Sequence, residues 1–187
     1  GQIAGSVASL SATGVMANPA LVLGIVLLVA GFGFKVAAFP FHMWVPDVYE
    51  GAPTPVVAFL SVGSKAAGFA LILRVFSTAF GFTDWLSINF GLVFAGLAAI
   101  GMFVGNLSAL PQTNIKRMLG YSSIAQAGYL MVGLATMGIS PPADILGQSG
   151  VLFFLAGYAL ANLGTFTAII AISNKLDSDF IQDYSGM

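Results

Sequence analysis

The stretch GFKVAAFPFHMWVPDVYEGAPTPVVAFLSVGSKAAGFALILR, residues 33–74, decides the fold. It consists of two apolar segments, each with one lysine, joined by a short connection rich in proline and acidic residues. Lys35 lies 11 residues before Pro46, and Lys65 lies 10 residues after Pro55. At the rise of an α-helix, both lysines lie roughly 15–16 Å from this connection, about half the thickness of a bilayer's hydrocarbon core. The spacing therefore predicts two ammonium groups near the middle of a membrane, on adjacent helices.

The composition of the 187-residue chain is typical of a membrane protein. Hydrophobic residues make up 58% of it and charged residues only 7%, whereas a soluble domain carries about 25% charged residues. A mean hydropathy of +0.95 and several long apolar runs predict a polytopic helical membrane protein. The net charge of −1 gives no basic face for nucleic acid. The absence of cysteine excludes disulfides and thiolate metal sites, and a single histidine disfavours a zinc or haem site made by this chain alone.

The apolar runs predict an all-α bundle of about five transmembrane helices, forming a single domain over residues 1–187. The predicted helices cover residues 19–45, 55–76, 87–110, 115–137 and 149–173. Pro40 is expected to break the first helix, because proline lacks a backbone donor, and to leave a short second half over residues 41–45. Thr54 is the predicted N-cap of the second helix. Both ends look like cuts through a longer chain, and we see no signal peptide.

Lys35 and Lys65 are the main candidates for function. None of the predicted transmembrane helices contains an acidic residue that would neutralise them, and ionisable residues inside a membrane are functional by default. Small residues around Lys65 allow a neighbouring helix to come close, which places this lysine in the interior of the bundle. Because burial disfavours the charged form of a lysine, such a group can exchange protons near neutral pH. A proton relay is the favoured interpretation, and a purely structural lysine is the alternative.

His42 is the third candidate. The pKa of an unperturbed histidine is close to neutrality, which suits a link between Lys35 and the cytoplasmic side. A histidine that is hydrogen-bonded at a helix break is an equally good interpretation. Asp47 and Glu50 either form a protonic entrance or solvate a loop, and the loop is the favoured interpretation.

Two further groups of polar residues allow structural or functional interpretations. A polar band in the fourth predicted helix either lines a chain of water molecules or forms hydrogen bonds between helices; it consists of Tyr121, Ser122, Ser123 and Gln126. Basic residues predict the orientation of the bundle, since one face holds three of them and the other only Arg74. By the positive-inside rule the first face is cytoplasmic; it holds Lys116, Arg117 and Lys175.

Two motifs of this chain resemble a known family. The segments GFKVAAFPFHMWVPDVYEGAPTPVVAFLSVGSKAA (residues 33–67) and QTNIKRMLGYSSIAQAGY (residues 112–129) are similar to the N-type antiporter-like membrane subunit of respiratory complex I, the proton-translocating NADH:quinone oxidoreductase. The resemblance implies a full subunit of about fourteen helices with two inverted repeats, of which this chain corresponds to helices seven to eleven. It implies relay roles for Lys35 and Lys65. The glutamate that pairs with Lys35 and an exit lysine would lie on helices outside this chain.

The resemblance also implies a location, partners and cofactors. It implies a multi-pass integral membrane protein of the bacterial plasma membrane or an equivalent energy-transducing membrane, which moves protons in step with quinone reduction elsewhere in the complex. Its partners would be other membrane subunits of complex I, the lipid bilayer and protons. No cofactor would bind this chain, and NADH, FMN, iron–sulfur clusters and quinone would bind partner subunits. A subunit of an Mrp-type sodium/proton antiporter is the alternative, and a non-conducting scaffold would leave two buried lysines unexplained.

Overall fold

The computed structural model describes residues 19–79, 84–139 and 146–186, together with Gly5 and Ser9. Apart from those two residues, the predicted loop over residues 1–18 lies outside the described part, as do residues 80–83 and 140–145 of two later loops. The described ranges contain no β-strand, and the predicted all-α class is confirmed for them. Their elements are α1 (Pro19–Val36), α2 (Trp44–Gly51), α3 (Thr54–Phe59), a π-helical segment (Leu60–Ser64), α4 (Lys65–Ala79), α5 (Asp84–Ala109), α6 (Ile115–Ile139), α7 (Leu146–Leu176) and a 3₁₀ turn (Ile181–Tyr184).

The first helix is interrupted in the region of Pro40, as predicted, but α1 already ends at Val36. Ala37 adopts left-handed backbone geometry, with φ of 61°. The amides of Ala37 and Ala38 donate to the carbonyls of Phe34 (3.2 Å) and Gly33 (2.8 Å). These hydrogen bonds form a Schellman cap, which ends a helix by satisfying its last carbonyls. The cap holds an alanine in a conformation that costs an L-residue roughly 1–2 kcal/mol.

The connection after this interruption is helical where the sequence predicts a loop. α2 contains Pro46, Asp47 and Glu50, whereas the predicted second half of the first helix covers only residues 41–45. Pro46 is the third residue of α2, and the missing amide is tolerated there because the first amides of a helix have no partner within it. Pro46 therefore lies in the first turn of a helix, and the prediction of a loop is wrong.

α3, the π-helical segment and α4 form one helical run from Thr54 to Ala79. Pro53 occupies the N-cap position, and no side chain makes a capping hydrogen bond there. The prediction of Thr54 as N-cap is therefore wrong, because the geometry of Pro53 starts the helix one residue earlier. Asp84 and Trp85, which the sequence assigns to a loop, lie in the first turn of α5. Acidic residues thus occur in these helices, near their ends.

Three helical runs in the described ranges are long and apolar enough to cross a membrane: Thr54–Thr78, Gly91–Ala109 and Leu146–Leu176. Val22–Val36 is a shorter apolar helix. α6 is 25 residues long, but its polar band and two basic residues lower its hydropathy. The helical membrane bundle is confirmed, while five crossings and a single domain over residues 1–187 stay predictions.

Glycines bring α5 and α6 into close contact. A Cβ atom at Gly105 would lie 2.6 Å from the backbone nitrogen of Ala125, and one at Gly128 would lie 2.9 Å from the carbonyl oxygen of Ala98. Small residues at such positions allow the backbones of membrane helices to approach. Since α6 carries the polar band, this contact fixes the position of the band relative to α5.

Two buried clusters of apolar side chains connect the remaining helices. The first joins α1, α4, α5, α6 and the start of α7, and includes Phe69, Phe94 and Leu130. The second joins α2, α3, α6 and α7, and includes Tyr49 and Ile124.

The outward faces of the helices remain apolar, as expected for helices that meet lipid or further helices. The exposed side chains include Phe153, Leu160 and Phe103.

We predict that Gly105→Ala destabilises the full-length protein by about 1–3 kcal/mol, the usual cost of adding a methyl group to a packed contact. Thermal unfolding of the protein purified in detergent measures the effect. Gly96→Ala is the matched control, because it lies on the same helix and a Cβ there meets no atom within 4 Å. Equal melting temperatures for the two variants would contradict the close contact of α5 and α6.

Candidate functional site

Lys65 lies inside the bundle, directly after the π-helical segment. Such a segment, with hydrogen bonds to the fifth preceding carbonyl, often occurs at functional sites within α-helices. Only 3% of the surface of Lys65 is exposed. The prediction that small residues place this lysine in the interior is confirmed.

The ammonium group of Lys65 has neutral hydrogen-bond partners. Its Nζ donates to the backbone carbonyl of Ser123 and, at 2.7 Å, to Ser123 Oγ. It also lies 5.6 Å from the ring centroid of Tyr158, a distance at which an aromatic face attracts a cation. None of the salt bridges found among the described residues includes Lys65. The charged form is thus solvated by a carbonyl, a hydroxyl and an aromatic ring.

Ser123 Oγ connects four helices. Tyr49 Oη, on α2, lies 3.3 Å from it, and Tyr158 Oη, on α7, donates to it at 3.4 Å. Ser123 itself lies on α6 and is 3% exposed, while Lys65 approaches from the start of α4. A single buried hydroxyl therefore contacts one lysine and two tyrosines.

Lys35 lies in a different environment. It is in the last turn of α1, its side chain is exposed, and its Cγ lies 3.6 Å from the position of a Cβ at Gly68. No contact among the described side chains joins the ammonium groups of Lys35 and Lys65. Because α1 ends at Val36, the helical rise does not apply between Lys35 and Pro46. Equal depth of the two lysines therefore stays a prediction.

His42 lies between α1 and α2 and is 6% exposed. Its ring stacks on Phe39 with the ring centroids 5.5 Å apart. Its Nδ1 is buried and has no hydrogen-bond partner in the described part of the chain. The interpretation of a histidine hydrogen-bonded at a helix break thus receives no support at this atom. Nor do the described contacts bring His42 to either lysine.

Asp47 and Glu50 form ion pairs with the start of α6. Arg117 Nη1 lies 2.8 Å from Asp47 Oδ1 and 2.6 Å from Glu50 Oε2. The two carboxylates are thus joined by one guanidinium group and hold α2 against α6. A protonic entrance at these residues stays a prediction.

Lys116, which the sequence treats as a determinant of orientation, is also part of a partly buried ion pair. Its Nζ lies 2.8 Å from Asp179 Oδ2 and 3.3 Å from the carbonyl of Ala52, and the residue is 7% exposed. Asn114 Oδ1 caps the same helix by accepting the amide of Lys116 at 2.9 Å. These contacts join the start of α6, the end of α2 and the segment after α7.

Sequence reasoning missed two members of the site, Tyr49 and Tyr158, and gave Ser123 no separate role within the polar band. Tyr158 carried a weak signal, because it and Asn162 lie one helical turn apart among the few polar residues in the middle of this helix. Tyr49 carried none, since its contact with Ser123 spans 74 residues. Long-range contacts of this kind depend on how the helices pack.

The described residues offer little for binding a metal or a polar cofactor. No group of three or more histidine, cysteine, aspartate or glutamate side chains that could hold a metal ion occurs among them. A small pocket lies between α1, α4, α5 and α6 and has an apolar lining that includes Phe32, Ile72, Phe94 and Met131. This pocket does not include Lys65 or Ser123.

Comparison with known proteins gives a match over residues 3–187 to the family described as "NADH:quinone oxidoreductase/Mrp antiporter, TM". The NADH-quinone oxidoreductase subunit N of Desulforamulus reducens is 52% identical over 187 residues, which is 100% of this chain. The chain spans 36% of the length of that relative. The resemblance to N-type subunits is thereby confirmed.

Solved structures agree with this relationship. A chain of respiratory complex I from Thermus thermophilus with bound Aureothin is 42% identical, with a TM-score of 0.63, and the match covers 81% of this chain and 31% of that one. A chain of the Mrp complex from Dietzia sp. DQ12-45-1b shares the fold, with a TM-score of 0.73 at 21% identity over 85% of this chain and 28% of that one. The protein is thus an integral membrane protein, and the chain belongs to the transmembrane family shared by NADH:quinone oxidoreductases and Mrp antiporters.

Proposed function

We propose that this chain is part of a proton-translocating membrane subunit of an NADH:quinone oxidoreductase. The identity of 52% to a subunit N and of 42% to a chain of a respiratory complex I supports this assignment. The chain would transfer protons, while quinone reduction and the NADH, FMN and iron–sulfur chemistry would take place in partner subunits. It would have no redox centre of its own, and other membrane subunits, lipid and protons would be its partners.

One observation carries the proposal: Lys65 is buried, and its ammonium group has only neutral hydrogen-bond partners among the described residues. A charged lysine without a carboxylate is costly in an apolar interior, so its charged and neutral forms are closer in free energy than in water. Charges act over longer distances in such a low-dielectric interior. A charge change on a neighbouring group can therefore move a proton on or off Lys65.

Lys35 and His42 are proposed as further members of the relay. Lys35 lies on α1, which packs against α4, and its stem passes Gly68, one helical turn after Lys65. His42 lies in the interruption after α1 with Nδ1 unpaired in the described part, so this nitrogen is available to a proton donor or acceptor. Water would complete the route between these groups.

The alternative, a subunit of an Mrp-type sodium/proton antiporter, shares the fold. Its support is the likeness to the Mrp complex chain, at 21% identity, which is well below the 52% identity to a subunit N. The two functions differ in the transported cation. Quinone-driven pumping that is unchanged between sodium and potassium buffers supports the first, and proton movement that requires sodium supports the second.

We predict that Lys65→Met in the full-length subunit abolishes proton pumping and slows quinone reduction by about a hundredfold or more, within the range for loss of an acid–base group. Lys65→Arg distinguishes a requirement for positive charge from a requirement for proton exchange, because arginine keeps its charge and does not release its proton. This variant should be as inactive as Lys65→Met. Pumping and quinone reduction are followed together in liposomes that contain the assembled complex.

Lys175→Met is the matched control for these variants. It removes a lysine from the last turn of α7, where the side chain is exposed, and should leave both rates unchanged. If Lys65→Met pumps at the normal rate in an assembled complex, the proposed function of this site is wrong.

Lys35→Ala is predicted to reduce pumping and quinone reduction together, again by about a hundredfold, because the relay loses its second ammonium group. The same liposomes serve for the measurement, after assembly has been checked by native electrophoresis. Normal pumping by this variant would remove Lys35 from the relay and leave the route to Lys65 alone.

A further inference from the structure

We propose that Ser123 is a positioning residue for Lys65, and that its hydroxyl group serves both charge states of the lysine by reversing the direction of one hydrogen bond. The inference rests on the proposed function, since it explains how a buried lysine gains and loses a proton without losing its partner. Ser123 is one of two serines in the polar band, and its residue type alone does not indicate this role.

The two groups that Lys65 contacts on Ser123 have different capacities. The backbone carbonyl is an acceptor only, and it can hold the ammonium form but has no proton to offer the neutral amine. The hydroxyl both donates and accepts. At 2.7 Å from Nζ, Ser123 Oγ can accept from the charged lysine, and it can donate to the nitrogen lone pair when the lysine is neutral.

Two tyrosines take the remaining positions on this hydroxyl. When Oγ accepts from Lys65 and from Tyr158, its own proton is directed to Tyr49 Oη, and either atom of that pair can be the donor. When the hydroxyl turns to donate to Lys65, Tyr49 can donate to Oγ instead. Reversal of the Lys65 bond therefore requires only rotations of hydroxyl groups and leaves every heavy atom in place.

The distances favour such a reversal. The contacts of Ser123 with Tyr49 and Tyr158 are 3.3 Å and 3.4 Å, longer than the 2.7–2.8 Å that is usual between hydroxyl groups. The weak hydrogen bonds to the tyrosines oppose rotation of the Ser123 hydroxyl group only slightly. The shorter hydrogen bond to Lys65 therefore determines the orientation of this hydroxyl group. The charge of the lysine thus sets the direction of the whole network.

The other ionisable groups around this network are few. From α2 and α7, the titratable side chains that contact Ser123 are Tyr49 and Tyr158. α3 and the π-helical segment contain no ionisable residue. From α1, the side chain of Lys35 passes Gly68, which lies one helical turn after Lys65. A change at Ser123 should therefore act on Lys65 through the hydroxyl contact itself.

The test uses Ser123→Ala, Ser123→Thr and Thr136→Val in the full-length subunit of the assembled complex, with quinone reduction and pumping measured between about pH 6 and 9. Ser123→Ala removes a charge-assisted hydrogen bond, so the charged lysine loses more than the neutral one. The alkaline limb of both rates should move to lower pH by about one unit. Ser123→Thr keeps the hydroxyl and should restore the profile. Thr136→Val removes an exposed hydroxyl of the same helix, which donates to the carbonyl of Gly133, and should match the wild type.

The outcomes separate this inference from the proposed function. The role of Ser123 is overturned if the alkaline limb of the pH profile is unchanged in Ser123→Ala, or if this variant loses the same fraction of its rate at every pH. In either case, inactivity of Lys65→Met in the same assay leaves the proposed function intact. Normal pumping by Lys65→Met overturns both. If Ser123→Ala fails to assemble, Ser123→Cys replaces it, because a thiol of similar size is a weak donor and a weak acceptor and should move the limb in the same direction.

Discussion

The ammonium group of Lys65 is buried with neutral partners, and the arrangement of the surrounding helices depends on this constraint. Placing a charged amine in a low-dielectric interior costs several kcal/mol even after relaxation. In the described residues the compensation comes from the carbonyl and hydroxyl of Ser123 and from the ring of Tyr158. α4, α6 and α7 must therefore keep their relative positions. Close packing of α5 on α6, through Gly105 and Gly128, holds the central member of this group in place.

α2 connects this interior to the charged end of the bundle. Its carboxylates bind Arg117 at the start of α6, while Tyr49 from the same short helix reaches Ser123 six residues further along α6. Because α2 has only 8 residues, a displacement that loosens the ion pairs also moves Tyr49 Oη relative to Ser123. The short helix thus links the exposed charges at this end of the bundle to the hydroxyl that contacts Lys65. A loop at this position, which the sequence predicts, would not connect the ion pairs to Ser123 in this way.

The limits of sequence reasoning follow from the range of the interactions involved. Helices such as α6 are predicted well, because a long apolar run and the prolines that flank it are local features of the sequence. The interior position of Lys65 is also predictable, since its neighbours are small. The end of α1 is not, because a Schellman cap at Ala37 replaces the expected stop at Pro40 and places a residue other than glycine in the left-handed region. The pairing of Ser123 with Lys65 spans 58 residues, and only the packed bundle brings the two together.

The two lysines that look equivalent in the sequence are therefore different in the structure. Lys65 follows a π-helical segment, and its ammonium group contacts the carbonyl and hydroxyl of Ser123 and lies over the ring of Tyr158. Lys35 is the last basic residue of a helix, where the partial negative charge of the carbonyl end attracts a cation, and its side chain is exposed. In the proposed relay, a proton that moves between them would pass from a site with neutral hydrogen-bond partners to a site in the field of a helix end. A change of charge nearer to one lysine than to the other would alter the free-energy difference between the two sites, and in the proposed relay this difference would set the direction of transfer.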